Sequence, residues 1–370
     1  MIKICFLTNE LSFKHGWGRY SIDLIKALAT KDYRPLVLID KTSQGNDLKE
    51  VESYKLLSSQ RSDLIKPIFI WKDYLKIKKI TQNCQIIHSL IEPYAPLAAL
   101  LARNKPLFIT AHGTYAPLLF DKLLAGYLTR KSFKKANKVF CVSKFTQKEI
   151  LKKINLKNTL VINNGVDYNK WQVDKKILPL KEKMILGVGA LKPRKGYHIS
   201  IPAIVMAQKK YPNLKYYLVG DQSNKDYFNQ LKELVRKHNL ENNVIFLEKI
   251  SDEDLVKLYH QTDLFLLTPI NIDQSFEGFG LVYLEANACR KPVIGTYSCG
   301  AEEAIIDGFN GLLVPQNDIE KTSQAILNIL DNTNLAENLS QNGLKQAQKM
   351  DWSNIANQYI QVYKDLYKKL

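Results

Sequence analysis

Two acidic side chains and the residues between them carry the strongest chemical signal in the sequence. Residues 276–295 read FEGFGLVYLEANACRKPVIG, in which Glu277 and Glu285 bracket seven residues. We predict a helix over Phe279–Cys289, with Glu277 at its mouth and Glu285 about two turns along. A rise of about 12 Å separates their backbones, so the two carboxyl groups do not share one proton. Carboxylates accept hydrogen bonds, which suits the hydroxyl groups of an elongated sugar ligand.

The surroundings of the two glutamates differ. An ordinary helix-start carboxylate that satisfies the helix dipole is an alternative explanation for Glu277. Glu285 lies among Val282, Tyr283 and Leu284, where an unpartnered carboxylate is costly. Gly278 and Gly280 leave the backbone amides of the helix start open to a phosphate.

Two strand-to-helix loops add candidate anion-binding groups. Residues 187–196, GVGALKPRKG, bring Arg194 and Lys195 together, and a guanidinium and an ammonium suit a diphosphate. Residues 9–19, NELSFKHGWGR, place Gly16 and Gly18 where the backbone can approach an anion. A solvated basic turn and a plain tight turn, respectively, remain as alternatives.

His112 follows an apolar strand and precedes Gly113, so its imidazole is predicted at the carboxyl end of a strand, where ligand crevices form. A buried core histidine is the alternative, since His88 lies similarly after its own apolar run. No cluster of residues has the spacing of a metal site, and we expect neither a metal ion nor another cofactor.

Short apolar runs that alternate with helical stretches position these residues. Continuous apolar strands indicate a buried parallel sheet, and the alternation predicts an α/β fold with two doubly wound, Rossmann-like domains. The strands are predicted at 2–7, 35–39, 85–88, 107–110, 139–142 and 159–162, and then at 184–188, 214–219, 244–247, 264–267 and 293–294.

Helices are predicted between and after these strands, at 19–29, 197–210, 227–238, 319–330, 336–349 and 353–370. The predicted domains are residues 1–165 and 183–350, joined by a linker over 166–182 and followed by a last helical segment over 351–370. In two open α/β domains the crevices lie at the carboxyl ends of the strands, so we expect the active site between the domains.

Composition narrows the possible partners. The 370 residues carry a net charge of +17, of which residues 1–165 contribute +16 and residues 166–370 only +1. Such a field attracts an anionic partner, although lysines kept for solubility would give the same count. The five cysteines lack metal-ligand spacing and suit reduced thiols in a cytosol, and no apolar run is long enough to span a bilayer.

One basic segment is a candidate membrane or acceptor surface. Residues 122–138, KLLAGYLTRKSFKKANK, place cations along one predicted helix beside leucines and a tyrosine, a pattern that suits anionic headgroups. A solvated helix with a core-facing apolar edge is the alternative. The candidate cations are Lys122, Arg130, Lys131, Lys134, Lys135 and Lys138.

Taken together, the motifs resemble the retaining glycosyltransferases of family 4 (glycosyl transferases group 1), which have the two-domain GT-B fold. The resemblance covers almost the whole chain and is nearest to mannosyltransferase-type members. It is carried by the E-x7-E segment at 277–285, PVI at 292–294, DG-x-x-G-x-L-V at 307–314, NNGVD at 163–167 and S-x-F-T at 143–146.

The resemblance implies roles residue by residue. Glu277 would bind sugar hydroxyls and Glu285 the donor ribose, while Gly278, Phe279, Gly280 and Leu281 would offer amides to phosphate and sugar. Lys195 would hold the diphosphate, which Gly16 and Gly18 approach, and His112 would lie near the C6 hydroxyl of the transferred sugar. His112, Glu277 and Lys195 are thus the implied catalytic residues.

Three departures from the family pattern stand out. The family's diphosphate-binding arginine usually follows the glycine at Gly189, where this chain has Ala190, and we hypothesise that Arg194 replaces it. Arg290 occupies a position where glycine is usual. Cys299 and Glu302 alter the family's GG-x-P-E loop, into which Glu303 fits.

The expected function is metal-independent, retaining transfer of a hexose from GDP-mannose or a UDP-hexose to a lipid or glycan acceptor in cell-envelope synthesis. We expect a cytoplasmic protein, peripheral on the inner face of an anionic membrane, without nucleic acid as a partner. The alternatives are a nucleotide-sugar epimerase of the same fold and a basic nucleic-acid-binding protein.

Overall fold

The computed structural model describes residues 1–13, 16–31, 33–59, 73–172 and 182–367. By its internal contacts the chain divides into two units. Unit 1 comprises Met1–Asn164 with Trp352–Leu370, and unit 2 comprises Gly165–Asp351. The predicted linker, 166–182, falls largely in unit 2, and its residues 173–181 lie outside the described part.

Unit 1 is built on a sheet of seven parallel strands in the order β3-β2-β1-β4-β5-β6-β7. The strands are β1 Ile2–Leu7, β2 Tyr33–Asp40, β3 Glu52–Leu57, β4 Ile86–Ser89, β5 Leu107–Ala111, β6 Lys138–Cys141 and β7 Thr159–Val161. Its helices are Gly16–Ala29, Tyr74–Ile80, Ala95–Ala102, Tyr115–Phe120, Leu123–Lys135, Lys144–Lys153 and Trp352–Tyr367, with a 3-10 turn at Glu92–Tyr94.

Unit 2 contains a second parallel sheet, of six strands in the order β10-β9-β8-β11-β12-β13. The strands are β8 Met184–Val188, β9 Lys215–Val219, β10 Val244–Leu247, β11 Leu264–Leu266, β12 Val293–Thr296 and β13 Gly311–Val314. Its helices are Tyr168–Trp171, Tyr197–Ala203, Val205–Lys210, Lys225–Lys237, Asp252–Gln261, Leu281–Ala288, Ala301–Ala304, Ile319–Asp331 and Thr333–Lys349, with a 3-10 turn at Pro193–Lys195.

The predicted α/β class with two doubly wound parallel sheets is confirmed. In both sheets the first strand lies inside the sheet, the next two strands extend to one edge, and the later strands continue on the other side of the first. This reversal of direction places helices on both faces of the sheet. The central strands are therefore buried on both sides, as β5 is at all five of its residues.

The structure corrects several predicted elements. β3 was missed because its sequence, ESYKLL, has no continuous apolar run, as befits an edge strand with only its last two residues buried. β13 was missed as well. The predicted helix over 197–210 is two helices, divided at Ile204, and Pro202 lies inside the first of them.

Helix starts lie earlier than predicted where a cap extends the first turn. The Asn224 side chain accepts the N–H of Tyr227, so that helix begins at Lys225, and Asn332 caps the helix that begins at Thr333. The last helix spans Trp352–Tyr367, and the predicted end over 368–370 lies outside the described residues.

The last helix packs within unit 1 through a buried polar network. The Tyr359 hydroxyl lies 3.0 Å from that of Tyr20, and the Tyr363 hydroxyl lies 2.7 Å from His88 Nδ1. Thr110 Oγ1 lies within 3.1 Å of both the Tyr20 hydroxyl and His88 Nε2. Every one of these groups is buried and bonded. The network therefore fixes the last helix against the helix Gly16–Ala29 and against β4 and β5, the second of which precedes His112.

Candidate active site

The strongest polar cluster in unit 2 joins two cations to one carboxylate. The Lys195 ammonium donates to Glu277 Oε2 at 2.6 Å, and Nη1 of Arg194 donates to the same oxygen at 3.0 Å. The side chains of Lys195 and Glu277 are only 11% and 10% exposed, whereas that of Arg194 is 29% exposed. The structure thus brings Glu277 to two neighbouring cations that lie 83 and 82 residues before it in the sequence.

Lys195 and Arg194 are held by the loop between β8 and the helix Tyr197–Ala203. Gly196 has φ of +71°, and a Cβ there would lie 1.7 Å from the carbonyl oxygen of Thr268. The Thr268 hydroxyl donates to the Gly196 carbonyl at 2.8 Å, and the N–H of Ile270 donates to the Arg194 carbonyl at 2.9 Å. The loop is therefore fixed against the end of β11, and glycine is required where the two backbones meet.

Glu277 is placed by a second close approach of backbones. The N–H of Gly300 donates to the Glu277 carbonyl at 2.8 Å, and a Cβ on Gly300 would lie 2.0 Å from the carbonyl oxygen of Gly278. Gly280, with φ of +86°, precedes the helix Leu281–Ala288. The predicted start at Phe279 is wrong, because this left-handed residue separates Phe279 from the helix. Gly278, Phe279 and Gly280 are buried, and Leu281 is half-buried.

The electrostatics of the cluster keep Glu277 ionised. Burial alone would raise the pKa of its carboxyl group, but the charges and hydrogen bonds of Lys195 and Arg194 outweigh burial and hold that pKa at about 2. Burial also lowers the pKa of Lys195, an effect that the charge of Glu277 opposes. One carboxylate for two cations leaves a positive excess, which favours a further anion at this site.

Glu285 has a partner of its own. It is 4% exposed, and the Tyr259 hydroxyl donates to its Oε2 at 2.9 Å. The Tyr259 ring in turn packs edge to face with Trp171 at 5.1 Å. Glu285 is therefore a satisfied buried carboxylate, and it lies on the helix Leu281–Ala288 that follows Glu277.

In unit 1, His112 follows β5, as predicted. Its backbone N–H donates to Glu92 Oε1 at 2.6 Å, and its ring Nε2 lies 2.7 Å from the carbonyl oxygen of Leu90. The ring meets Tyr20 edge to face at 4.4 Å and lies 6.5 Å from the Trp17 ring. Burial lowers the pKa of His112 to about 4, so the imidazole is neutral at pH 7.

The two glycines after β1 differ in their surroundings. A Cβ on Gly18 would lie 2.1 Å from the carbonyl oxygen of Ser12, so Gly18 is required for packing within the loop. Gly16 is the first residue of its helix, and apart from its neighbours in the chain no atom of the described residues lies within 4 Å of a Cβ built on it. Residues 14–15, which precede it, lie outside the described part of the chain.

The structure rearranges the predicted basic stripe. The helix ends at Lys135, so Lys138 lies on β6 and not on the stripe. Nη1 of Arg130 donates to the Lys153 carbonyl at 2.5 Å, and Nη2 donates to the Phe120 carbonyl at 3.3 Å. The Lys135 ammonium donates to the carbonyl of Ala99 at 2.7 Å. Lys122, Lys131 and Lys134 are exposed.

Two residues near the predicted site were missed in the sequence. Glu92 contacts His112 from the segment after β4, and Tyr259 contacts Glu285 from a separate helix. Their pairings are not visible in the sequence, because each residue meets its partner only through the fold. Glu92 does carry one usable signal: it is an isolated acid in the apolar run SLIEPYAPLAALLA.

Two absences are reported for residues 1–13, 16–31, 33–59, 73–172 and 182–367 only. Within these ranges, no three His, Cys, Asp or Glu side chains form a group able to hold a metal ion. None of the helices in the same ranges is both long and apolar enough to span a bilayer.

Comparison with known proteins assigns the family. The family model described as Glycosyltransferase Family 4 matches residues 15–170, and the model described as Glycosyl transferases group 1 matches residues 169–346. The chain is also 30% identical over 355 residues to an uncharacterized glycosyltransferase of Methanocaldococcus jannaschii, MJ1178, with 93% of each chain covered. This chain is a group 1 glycosyltransferase.

Further relatives agree with this membership. The group 1 glycosyltransferase described here is 25% identical to the O-antigen chain mannosyltransferase B of Escherichia coli, over 98% of this chain and all of that one. Its fold matches that of Anabaena HepE, solved in complex with UDP and glucose, with a TM-score of 0.81 at 22% identity, over 99% of this chain and 100% of that chain. Membership in this family does not favour the epimerase or the nucleic-acid-binding alternative.

Proposed function

We propose that this glycosyltransferase moves a hexose from a nucleotide-diphosphate sugar, GDP-mannose or a UDP-hexose, to a lipid or glycan acceptor of the cell envelope. Transfer retains the anomeric configuration and needs no metal ion. The observation that carries the proposal is the buried cluster in which Lys195 and Arg194 share Glu277, because two cations on one carboxylate leave charge for a diphosphate.

The leaving group accounts for the cations. When the bond from the sugar to the phosphate breaks, negative charge develops on the diphosphate, and prearranged cations stabilise it without reorganisation. Lys195 is the fixed member, because it is buried and a Cβ built on Gly189 would lie only 3.2 Å from its Cε. Arg194 is more exposed, and it takes the place of the arginine that the family has at the position of Ala190. On diphosphate binding, its guanidinium turns from Glu277 to the phosphate oxygens.

The acids then recognise hydroxyl groups. Glu277, held ionised, accepts hydrogen bonds from the hydroxyls of the transferred sugar, and Glu285, oriented by Tyr259, accepts from the donor ribose. The amides at 278–281 face phosphate and sugar. Neither glutamate flanks an anomeric carbon as part of a carboxylate pair, so a front-face transfer assisted by the leaving phosphate accounts for retention.

A panel of nucleotide sugars tests the donor. We expect one GDP- or UDP-hexose to raise the midpoint of thermal unfolding in buffer with EDTA, since a ligand at 100 times its Kd adds about 2.7 kcal/mol of stability. Absence of a shift with every sugar, or a shift that requires added metal, would contradict the proposal. The product anomer, read by NMR, tests retention, and an inverted linkage would refute it.

The acceptor lies on the inner face of the cytoplasmic membrane in this proposal, and the helix Leu123–Lys135 supports it. Leu123, Leu124 and Tyr127 are 97%, 55% and 61% exposed, and Lys131 and Lys134 are exposed on the same stripe at i+8 and i+11 from Leu123. We call these five residues the exposed stripe. Apolar side chains followed by cations suit an anionic lipid surface.

Vesicle binding tests the exposed stripe. We expect salt-sensitive binding to phosphatidylglycerol vesicles that falls at least tenfold in K131E/K134E, at about 1 kcal/mol per cation near the surface. The matched control is K148E/K152E, which makes the same charge change on exposed lysines of the helix Lys144–Lys153. Equal losses in the two variants would assign binding to net charge alone and contradict a defined surface.

A further inference from the structure

A buried acid holds the turn that carries His112. Glu92, just after β4, is fully buried, and its Oε1 accepts the backbone N–H of His112 at 2.6 Å. The backbone N–H groups of His112, Gly113 and Glu92 itself all act to lower the pKa of this carboxyl group. Oε2 has no hydrogen-bond partner among the residues that the structure describes. One side chain thus ties the segment after β4 to the turn after β5.

The same segment fixes the tautomer of His112. Its Nε2 lies 2.7 Å from the carbonyl oxygen of Leu90, and a carbonyl only accepts hydrogen bonds. Nε2 therefore carries the proton, and Nδ1 of the neutral ring is left as an acceptor. An acceptor at Nδ1 suits a sugar hydroxyl and does not suit a phosphate oxygen.

We propose that Glu92 is a positioning residue for His112: its carboxylate orders the turn at 112–113 so that Nδ1 is presented to a hydroxyl of the transferred sugar. This inference rests on the proposed function, which supplies the sugar. The role of Glu92 itself follows from the hydrogen bonds and burial above.

The energetics favour a positioning role over simple packing. A buried carboxyl group without a cation is costly, and a neutral side chain of similar size would fill the space at lower cost. Titratable groups near Glu92 are neutral at pH 7: burial lowers the pKa of His112 to about 4, and it raises the pKa of Cys141 to about 12 and that of Tyr20 also. Burial raises the pKa of Glu92 to about 7, although nearby backbone N–H groups act in the opposite direction.

Protonation of Glu92 is expected to loosen the turn. The neutral acid accepts hydrogen bonds more weakly than the carboxylate, and its new O–H has no described acceptor at Oε2. As pH falls through about 7, the amide of His112 loses its strong acceptor and transfer slows. His112 stays neutral until about pH 4, so its own titration does not produce this limb.

NMR tests the geometry without any substrate. In wild type we expect the His112 side-chain nitrogens to report the Nε2–H tautomer from pH 5.5 to 9, and the His112 amide shift to titrate near pH 7. In Glu92→Gln the titration should vanish, because the amide oxygen still accepts but carries no titrating proton. An Nδ1–H tautomer, or an unchanged titration in Glu92→Gln, would overturn the proposal.

Kinetics give the functional arm. We expect Glu92→Ala to lower kcat/KM for the donor about tenfold, and Glu92→Gln to restore most of it and to lack the acid limb near pH 7. A limb that persists in Glu92→Gln, or a Glu92→Ala variant with wild-type kcat/KM, would refute the role. If wild type transfers no sugar, the proposed function fails, while the NMR experiment still decides whether Glu92 orders His112.

Discussion

Glu277 in unit 2 and Glu92 in unit 1 are both buried glutamates, yet their pKa values lie on opposite sides of the ordinary one. Burial acts on both in the same direction, upward. Two cations reverse that effect at Glu277 and bring its pKa to about 2, whereas Glu92 has only backbone N–H groups and stays at about 7. The difference is made by the partner and not by depth in the protein.

The contrast separates two kinds of site. The Lys195 cluster is a charged site whose Glu277 carboxylate, with a pKa of about 2, stays ionised across the neutral range, and its two cations suit binding of a permanently charged diphosphate. The Glu92–His112 turn is built from groups that are neutral or titrate near neutrality, which suits recognition of uncharged hydroxyls. Changes that remove a cation or a titrating proton should therefore affect the two sites differently.

The largest effect is expected from Lys195→Met. This change removes the buried cation and leaves Glu277 with only the half-exposed Arg194. Loss of one prearranged donor to the negative charge that develops on the leaving group costs about 2.7 to 4 kcal/mol, so kcat/KM for the donor should fall at least 100-fold. The matched control is Lys210→Met, which removes an exposed ion pair with Asp331 at 2.8 Å. Similar kcat/KM values for Lys195→Met and Lys210→Met would show that the Lys195 cluster does not bind the diphosphate of the donor.

Glu92→Gln tests the other side of the comparison through stability. When folding raises the pKa of a carboxyl group, the folded protein loses stability as pH rises. For Glu92 the loss extends from the pKa of the unfolded state, near 4.5, to that of the folded state, about 7. Relative to Glu92→Gln, wild type should therefore lose about 3 kcal/mol of unfolding free energy between pH 4.5 and 8. Denaturant unfolding of both proteins measures this difference, in which contributions from His88 and His112 cancel. A pH-independent difference would show that Glu92 does not titrate in this range.

Arg194→Ala should have an intermediate effect. A charge-assisted hydrogen bond contributes about 1.5 to 3 kcal/mol, and Arg194 is more exposed than Lys195. We expect about a tenfold loss in kcat/KM for the donor, measured by steady-state kinetics, with Lys210→Met again as the control. Unchanged KM and kcat would show that Arg194 does not replace the family arginine absent at Ala190.

The smallest effect is expected from Tyr259→Phe. It removes the hydroxyl that donates to Glu285 but keeps the ring that packs against Trp171. A typical hydrogen bond contributes about 1 kcal/mol net, so affinity for the free nucleoside diphosphate should fall roughly fivefold. The donor-independent pH behaviour of His112 should not change. An unaltered nucleotide affinity would separate Glu285 from the donor.

The sequence was most informative where the signal is local. Apolar strands, the loop at 187–196 and the glutamates at 277 and 285 follow from composition and spacing over a few residues. β3 was missed because its burial is partial, and the helix over Phe279–Cys289 was placed too early because left-handed Gly280 precedes its first turn. In both places the structure depends on packing between distant segments, which the types of the local residues do not reveal.

The contacts between distant segments could not be predicted. Arg194, Lys195 and Glu277 were all named, yet nothing in the two separate motifs indicates that both cations donate to one oxygen of Glu277. Arg130 was predicted to be a surface cation, but its guanidinium donates hydrogen bonds to the carbonyl groups of Phe120 and Lys153. Such pairings depend on which loops the sheet order brings together.

Isothermal titration of nucleotide sugars into wild type, Lys195→Met and Lys210→Met, in buffer with EDTA, tests the central claim most directly. We predict that one GDP- or UDP-hexose binds wild type and Lys210→Met with the same affinity and binds Lys195→Met at least 100-fold more weakly. Equal affinity for Lys195→Met, or no heat of binding from any nucleotide sugar with wild type, would contradict the assignment of the Lys195 cluster as the diphosphate site.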